Sequence, residues 1–578
     1  MVAVSKNMIA ITRREFDPIE MEVFSNRLLS ITEDMGSALI RSSFSTNIKE
    51  RKDCSVGLFD AAGRCIAQAS HLPMHLGSLW GSTLAVLRHI DAAAIRDGDV
   101  FMCNDSYLAN GTHQPDIAIV TPVFWDGDLK FFAANVGHHA DVGGTVPGSI
   151  YGGAKSIFEE GIRIPVIRIC RAGKLDTDLL NLVAHNTREP EDRELDIKAQ
   201  IATNSRGRGM LEDLIAQTDI AKVERAVDDL LEYTERRARN RIAALPDGSY
   251  NGSSTMDDDG MGGDPIAIQA TVTVAGDRLS IDFEGSARQA RGAMNLPDSA
   301  LKATAYYAVK VALDPNIPPN SGFFNVVEVT APLGTIVNPK FPGAVGARSI
   351  TGNKVAGAIL SAFSTFLPPH RAMAASHDAV PAMVFSGERK DHKGTYVYLE
   401  TMGGGNGARH DHDGMEAIHV HVTNTSNLPI EALENEYGLL VQEYALVEDS
   451  GGAGIYRGGM GLARQIQSLE DGVVFSARAE NHVVSAPGIF GGAAGSHASI
   501  TYNIGLPNQK SLDSKVAYLV MKKGDSIRLE TAGGGGFGPP SGRSVKTLAE
   551  DLRGGKVSRE AALRDYGEQL VIEALAKT

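Results

Sequence analysis

The sequence predicts a mixed α/β (α+β) fold of several subdomains, with glycine-rich β-sheet regions and peripheral helices. The chain has 578 residues, which is too long for one hydrophobic core and indicates about two to four packed subdomains. Helical periodicity and strand alternation both recur along the chain. Glycine contributes 62 residues, many of them in runs between strand-like segments.

The N-terminal part alternates helices with short strands. Asp17 and Pro18 suit the N-cap and first position of a helix, and apolar residues keep helical spacing to about residue 42. Strand-like runs follow at CSVGLFD and RCIAQAS, and LGSLWGSTLAVLRHI has a helical pattern. The runs IAIVTPVFW and LKFFAANV flank Asp126-Gly127, a strong hairpin signal. We therefore expect these two runs to pair.

The rest of the chain changes pattern several times. Residues 175–245 look helical, residues 250–336 are β-rich, and residues 350–366 look helical again. The stretch 395–530 is rich in glycine and in strand-like runs, and a charged helical tail begins at Val545.

Four regions are predicted from these changes. They are 1–248, an N-terminal region with the candidate metal ligands, 249–345, a β-rich region, 346–543, a glycine-rich α+β region, and 544–578, a helical tail. For most of the glycine runs we expect tight turns, because glycine tolerates positive φ. For one or two of them a substrate or subunit surface is the alternative.

Charge and hydropathy argue against nucleic-acid and membrane partners. The net charge is −14, and no run rich in Lys and Arg occurs. No stretch approaches the roughly 20 apolar residues that span a bilayer, and MVAVSKNMIAITRREF lacks the apolar segment of a signal peptide. The 4 cysteines form no C-x-x-C pair, which argues against a zinc ribbon or a thioredoxin-type site. So few cysteines in so long a chain favour a reducing compartment. We therefore expect a cytoplasmic protein.

Standard nucleotide-binding and hydrolase motifs are absent from the sequence. It contains no G-x-x-x-x-G-K-[ST] loop, no G-x-G-x-x-G between a strand and a helix, and no G-x-S-x-G. If the chemistry requires ATP, we expect another polypeptide to hold it.

Histidines and aspartates cluster in the first quarter of the chain. His113 and Asp116 are three residues apart in a loop that contains proline, and GHHADVGG places His138 at the end of a strand-like run. Imidazole and carboxylate ligands suit zinc, manganese or iron, and the sequence does not choose among them. Neighbours on a strand point to opposite faces. One of His138 and His139 is therefore expected to bind the metal, while the other orients it or lines the substrate side.

Other histidines are weaker candidates. For His71 and His75 we expect a structural role. His419 and His421 would share one face of a strand. His410 and His412 lie in a polar, glycine-rich segment, where a solvated turn is expected.

Five motifs occur in a fixed order, namely ERKDCSVGLFDAAGRCIAQASHLPMHLGS, NDSYLANGTHQPDIAIVTPVF, NVGHHADVGGTVPGS, EEGIRIP and HVTNTSNLPIEALE. Together they resemble the hydantoinase B family from about residue 17 to residue 540. The family includes B subunits of ATP-dependent hydantoinases and caprolactamase, the C-terminal half of 5-oxoprolinase, and a subunit of acetone and acetophenone carboxylases. One departure is Ser106, where the family often has proline after Asn-Asp.

The resemblance implies partners and a ligand set. Family B subunits pair with a hydantoinase A-type ATP-binding subunit, so we expect an (αβ)2 heterotetramer with ATP and Mg on the partner. The ligands implied by the motifs are Asp53, His113, Asp116 and His138, with zinc favoured over manganese or iron. His139 and Asp141 are then the candidate catalytic residues on the substrate side.

The leading hypothesis is an ATP-dependent cyclic amide hydrolase that opens a lactam, a hydantoin or 5-oxoproline. The partner would phosphorylate the carbonyl oxygen of the small-molecule substrate, or bicarbonate, before reaction at the metal. An alternative is a subunit of an ATP-dependent ketone carboxylase of the acetone or acetophenone type. A third hypothesis is a scaffold without activity, whose histidines only brace loops.

Overall fold

The structure is a computed structural model that describes residues 17–390 and 394–577. Helices and strands both occur throughout, which confirms the predicted mixed α/β fold with several separate sheets. The expectation about a signal peptide concerns residues 1–16 and lies outside the described part of the chain. The helices are α1 (Pro18–Ser42), α2 (Thr46–Lys49), α3 (His75–His89), α4 (Thr177–Ala184), α5 (Pro190–Thr218), α6 (Ile220–Ile242), α7 (Asp298–Leu313), α8 (Ser321–Phe324), α9 (Arg348–Ser364), α10 (Ile430–Glu436), α11 (Val545–Arg553), α12 (Arg559–Tyr566) and α13 (Glu568–Leu575).

The strands form four sheets. In chain order they are β1 (Cys54–Asp60), β2 (Cys65–Gln68), β3 (Val100–Cys103), β4 (Asp116–Trp125), β5 (Asp128–His138), β6 (Ile167–Arg171), β7 (Lys174–Leu175), β8 (Gly248–Met256), β9 (Ile266–Ala275), β10 (Arg278–Asp282), β11 (Val327–Thr330), β12 (Ala382–Glu388), β13 (Thr395–Thr401), β14 (Leu439–Leu446), β15 (Leu462–Ser468), β16 (Val473–Arg478), β17 (Ser499–Tyr502), β18 (Lys510–Leu512), β19 (Lys515–Met521) and β20 (Ser526–Glu530). The sheet orders are β2-β1-β5-β4-β3-β6-β7, β11-β10-β9-β8, β13-β12-β16-β19 and β14-β15-β20-β17-β18.

The first sheet has seven strands and is built around the predicted hairpin. Asp126 and Gly127 have φ of 50° and 87°, the positive values that a two-residue hairpin turn requires. Helices α1 and α5 pack on one face of this sheet and α3 on the other. Helix α1 begins as predicted, because the Asp17 carboxylate accepts a hydrogen bond from the Ile19 amide at 2.9 Å.

Helix α9 connects this first layer to the second sheet. It packs against α7 on one side and against β8 and β9 on the other. Close approach to β8 requires a glycine, since a Cβ on Gly252 would lie 2.3 Å from the Ala358 carbonyl oxygen. The four predicted regions remain a prediction, although α9 packs on β8 and β9 across the boundary at 345/346.

Helix α7 corrects the expectation of a β-rich pattern for residues 250–336. It comprises 16 residues, Asp298–Leu313, between β10 and β11. Its sequence is rich in alanine, leucine and lysine, which favour helices, and the flanking strand-like runs concealed this signal.

Most of the glycine runs are not the tight turns that we expected. Glycines in 403–407, 451–461 and 533–536 have no positive φ, and these segments run side by side in extended form. A Cβ on Gly534 would lie 2.1 Å from the Asn406 carbonyl oxygen, and one on Gly405 would lie 2.1 Å from that of Gly459. Glycine is needed here for close packing of backbone on backbone. Turns do occur at 259–263 and at Gly491, where φ is 94°.

The remaining elements enclose these segments. Phe385, Phe475, Ile466 and Ile527 belong to one core shared by the third and fourth sheets. The charged tail forms α11, α12 and α13, which pack on one another and on Ala453. No helix in residues 17–390 and 394–577 is long and apolar enough to cross a membrane.

Candidate metal centre

The implied ligands meet at one end of the seven-stranded sheet. Asp116 begins β4, His138 ends β5, and the two residues are opposite each other in the ladder. The turn at residues 126–127 joins the two strands, and a bulge between Val123 and Phe124 shifts their register by one residue, so that Asp116 faces His138 rather than Gly137. Asp53 immediately precedes β1, and its carbonyl oxygen accepts a hydrogen bond from the His138 amide at 2.9 Å. Three chain segments thus place their polar side chains together.

His113, Asp116 and His138 form a buried cluster whose ligand atoms lie within 4.8 Å of one another. The ring centroids of the two histidines are 5.0 Å apart. Nδ1 of His113 lies 3.2 Å from the Gly346 carbonyl oxygen, and Nδ1 of His138 lies 3.3 Å from Asn47 Nδ2. These contacts orient both rings, as outer partners commonly do for histidine ligands.

Two lone pairs face each other in this cluster. Nε2 of His113 and Oδ1 of Asp116 are 3.1 Å apart, yet neither buried atom has a hydrogen-bond partner in the described chain. His113 carries its proton on Nδ1, because that nitrogen faces a carbonyl oxygen. Burial and Arg348 lower the pKa of His113 to about 4, so its Nε2 is bare at neutral pH. A cation that binds both atoms would satisfy them, and the residues therefore fit a divalent metal.

The second oxygen of Asp116 is already held by protein groups. Its Oδ2 lies 2.5 Å from Arg348 Nη2 and accepts a hydrogen bond from the Thr112 hydroxyl. Although burial opposes ionisation, the Arg348 guanidinium helps to hold the pKa of Asp116 well below its usual value. The carboxylate is therefore ionised, with one oxygen fixed and the other available to a ligand.

His75 belongs to this cluster as well, although the sequence favoured a structural role. Its Nε2 lies 3.5 Å from Asp116 Oδ1 and 3.6 Å from Asp53 Oδ1, while Nδ1 lies 3.2 Å from Ser55 Oγ. Asp53 Oδ1 is a buried acceptor without a hydrogen bond in the described chain, and burial raises the pKa of Asp53. His75 starts α3, and nothing in the sequence around it signals that α3 begins beside β1 and β4.

Three buried arginines surround the ligands. Arg51, Arg348 and Arg478 are each at most 4 % exposed, and their charges act on Asp53, Asp116 or both. Within the described chain, Arg348 pairs with Asp116, whereas Arg478 has no carboxylate within 4.0 Å and donates to the Gly346 carbonyl oxygen. Burial and Arg348 lower the pKa of Arg478 to about 9, which leaves it protonated at neutral pH. Three guanidinium groups thus face at most two carboxylates, so the site attracts an anion.

The two candidate catalytic residues lie away from the cluster. His139 points to the opposite face of the strand end, where its Nε2 lies 3.1 Å from Gln200 Oε1 of α5, and burial lowers its pKa to about 4. The Asp141 carboxylate pairs with Arg188 at 2.7 Å and accepts further bonds from the amides of Gly143 and Gly148. The hydrogen bonds of Asp141 therefore hold the loop that follows it. They leave neither carboxylate oxygen free near the cluster.

The other histidines have distinct settings. His410 and His412 are exposed, as expected for a solvated segment. The expectation of a strand around His419 and His421 is wrong, because this segment is a loop in which His421 has φ of 56°. His421 Nε2 lies 2.8 Å from Asp378 Oδ1. His71 packs on α1 outside the cluster.

The buried histidines and carboxylate at the end of the sheet define a candidate metal site, and sequence comparison gives the family of the chain. The profile of the hydantoinase B/oxoprolinase family matches residues 17–540. The chain therefore belongs to this family, which confirms the resemblance seen in its motifs.

Individual relatives cover the chain differently. The B subunit of a D-/L-hydantoinase from Pseudomonas sp. strain NS671 is 30 % identical over 96 % of this chain and 95 % of its own length. The 5-oxoprolinase 1 of Arabidopsis thaliana is 32 % identical over 90 % of this chain, which spans only 42 % of that longer protein.

Two solved structures share the fold. The ATP-dependent caprolactamase from Pseudomonas jessenii superposes with a TM-score of 0.89 at 27 % identity, over 96 % of both chains. Nucleotide-free acetone carboxylase also gives a TM-score of 0.89, at 20 % identity over 98 % of this chain and 83 % of that chain, and this likeness supports the fold alone.

Proposed function

We propose that this chain is the metal-containing B subunit of an ATP-dependent cyclic amide hydrolase. Its substrate would be a lactam, a hydantoin or 5-oxoproline that an ATP-binding partner has phosphorylated. The observation that carries the proposal is the pair of facing lone pairs on His113 Nε2 and Asp116 Oδ1, 3.1 Å apart in a buried, cationic site. Membership of the hydantoinase B/oxoprolinase family supports the reaction class.

The proposed ligands are Asp53, His113, Asp116 and His138. Zinc is favoured for this set of imidazole and carboxylate groups, with manganese and iron as alternatives. Such an ion supplies Lewis acidity and a water of lowered pKa. The chain contributes the alignment of the ligands, because Gly346 holds the ring of His113 and Arg348 holds Asp116.

The surrounding residues would bind and orient the reactants. Arg51 and Arg478 provide buried positive charge for a phosphorylated substrate, and guanidinium groups suit phosphate oxygens. His75, oriented by Ser55, would hold the two carboxylates in place, since its Nε2 faces both Asp53 and Asp116. His139 would act through its bond to Gln200, which braces the end of β5.

Partners complete the proposed enzyme. We propose a hydantoinase A-type polypeptide that binds ATP and Mg, in an (αβ)2 heterotetramer. The support is twofold: the Pseudomonas relative of matching length is named as one of at least two kinds of subunit, and the plant 5-oxoprolinase is much longer, so that this chain spans 42 % of it.

A ketone carboxylase subunit is the second candidate. The surplus of buried arginines over carboxylates around the ligands favours it, because that charge would also suit an enol phosphate. The two candidates differ in their need for carbon dioxide or bicarbonate as a co-substrate.

Metal analysis of variants tests the proposal first. Elemental analysis should find a near-stoichiometric divalent metal in the purified wild type and a loss of it in His113→Ala. His412→Ala removes an exposed histidine and is the matched control, which should keep the metal. Retention of metal and turnover in three of the four ligand variants would show that the site is wrong. With the ATP-binding partner added, ATP-dependent product formation from cyclic amides and from ketones plus bicarbonate then separates the two reactions.

A further inference from the structure

A second polar cavity lies beside α9, apart from the metal centre. It has a volume of about 660 Å³ and is lined by α9, β8 and the loops around residues 373–378 and 484–490. Its polar lining includes Lys354, Asp378, His421, Ser254, Ser361 and Ser376. None of these residues belongs to the cluster around His113.

Lys354 brings an unneutralised charge into this cavity. The residue is 3 % exposed, and its Nζ makes one long hydrogen bond, 3.4 Å, to Asn481 Oδ1. No carboxylate of residues 17–390 and 394–577 lies within 4.0 Å of this ammonium group. Burying an ammonium group without a counter-charge costs several kcal/mol, so the arrangement calls for an anionic partner.

The neighbouring carboxylates are already engaged. Glu480 lies 3.1 Å from Lys515 Nζ and accepts a hydrogen bond from the Asp257 amide. Asp378 is bonded to His421 at 2.8 Å. A nearby buried lysine is thus neutralised, because Lys515 also has Asp258 at 3.1 Å, whereas Lys354 is not.

Hydrogen-bond donors accompany the charge. Asn481 Nδ2 is buried and makes no hydrogen bond within the described chain, and the Oδ1 of the same side chain is the group that contacts Lys354. Serine hydroxyls on β8 and α9 line the cavity itself, whereas Asn481 contacts Lys354 from outside the lining. An ammonium group with hydroxyl donors is suited to the oxygens of a phosphate or a carboxylate.

We propose that this cavity is a binding site for a small oxyanion, with Lys354 as its counter-charge and the serines that line it as hydrogen-bond donors. The site is defined by its own residues and stands whether or not the metal centre hydrolyses amides. Only the biological source of the anion rests on the proposed function. That reaction would release inorganic phosphate and would leave a carboxylate on the opened ring.

Anion binding to the full-length chain tests the proposal. Equilibrium dialysis with labelled inorganic phosphate measures affinity, and the Tm is recorded in phosphate, in acetate and in chloride at matched ionic strength. Lys354→Met should bind phosphate about tenfold to a hundredfold more weakly, as expected for loss of one charged hydrogen bond. Its Tm without anion should not fall. If it fails to fold, Lys354→Gln replaces it.

Two control variants separate this site from others. Lys515→Met removes a neutralised buried lysine and should keep phosphate binding, although its Tm falls. Arg478→Met weakens the cationic metal centre and should also keep phosphate binding at the Lys354 cavity. The proposal is overturned if phosphate and acetate both fail to bind to Arg478→Met or to raise its Tm, or if their effect in that variant persists when Lys354→Met is added. A response to phosphate alone or to acetate alone identifies the preferred oxyanion. Metal loss in His113→Ala bears on the other site only, so the two proposals fail separately.

Discussion

Removing the charge of Asp116 should show how much the stability of the fold depends on the charge balance between Asp116 and Arg348. In Asp116→Asn, the side chain keeps its shape, but Arg348 loses the carboxylate that lies 2.5 Å from its Nη2. Both side chains are buried, at 0 % and 5 % exposure. Breaking a buried pair by removing one partner typically costs about 3–5 kcal/mol, because the other charge stays buried.

Part of that cost should be recovered locally. The new amide Nδ2 could donate to the bare Nε2 of His113, 3.1 Å from the present Oδ1, and a neutral hydrogen bond contributes about 0.5–1.5 kcal/mol. We therefore expect a net loss of about 2–4 kcal/mol for Asp116→Asn in metal-free protein.

A double-mutant cycle provides the assay. Wild type, Asp116→Asn, Arg348→Met and the double variant are unfolded in denaturant with a chelator present, so that metal binding does not contribute. The double variant should be more stable than Asp116→Asn, because no unpaired charge remains buried. A loss below about 1 kcal/mol for Asp116→Asn, or a double variant no more stable than that single variant, would refute the charge balance described here.

Two further predictions concern stability. Burial raises the pKa of Glu160 from 4.5 to about 8. Between these two pH values the folded state keeps a proton that the unfolded state releases. The free energy of unfolding therefore falls as the pH rises from 4.5 to 8. The free energy of unfolding should fall by up to about 5 kcal/mol over this range. A series of Tm measurements against pH should show a flatter dependence in Glu160→Gln than in the wild type. The same slope in both proteins would show that Glu160 ionises normally. Gly534→Ala should cost at least about 3 kcal/mol, because its Cβ would lie 2.1 Å from the Asn406 carbonyl oxygen. Gly209→Ala in α5, with nothing within 4 Å of the new Cβ, should instead gain about 0.5–1 kcal/mol, and equal effects of the two substitutions in denaturation curves would contradict the packing argument.

The parts of the fold that the sequence predicted depend on local signals. The cap at Asp17 and the turn at Asp126-Gly127 act within a few residues, and both appear as expected. The turn implies that its two strands pair, but its register alone would place Asp116 opposite Gly137, and the bulge between Val123 and Phe124 that brings Asp116 to His138 was not predicted. Asp53 required the family motif, because its position beside His138 depends on pairing between β1 and β5.

The parts that the sequence did not predict depend on contacts between distant segments. Arg348 and Arg478 enter the metal centre from α9 and β16, and no local pattern marks an arginine as buried. The prediction of tight turns at most of the glycine runs was wrong for a related reason. Glycine allows both positive φ and close approach of two backbones, and only the positions of the neighbouring segments show that Gly405 and Gly534 serve the second purpose.

Helix α9 relates the two sites physically. Arg348 at its start neutralises Asp116, and Lys354 follows six residues later, about 9 Å along the axis of an α-helix. The helix is held rigidly, because Gly252 lets β8 approach its backbone and Gly357 leaves room for the carboxylate of Asp378. One helix thus presents two buried cations to two separate sites, and of the two only Arg348 has a carboxylate of the described chain within 4.0 Å. Since an unpaired buried charge is costly, the different treatment of these two residues is the strongest physical reason to expect a ligand at Lys354.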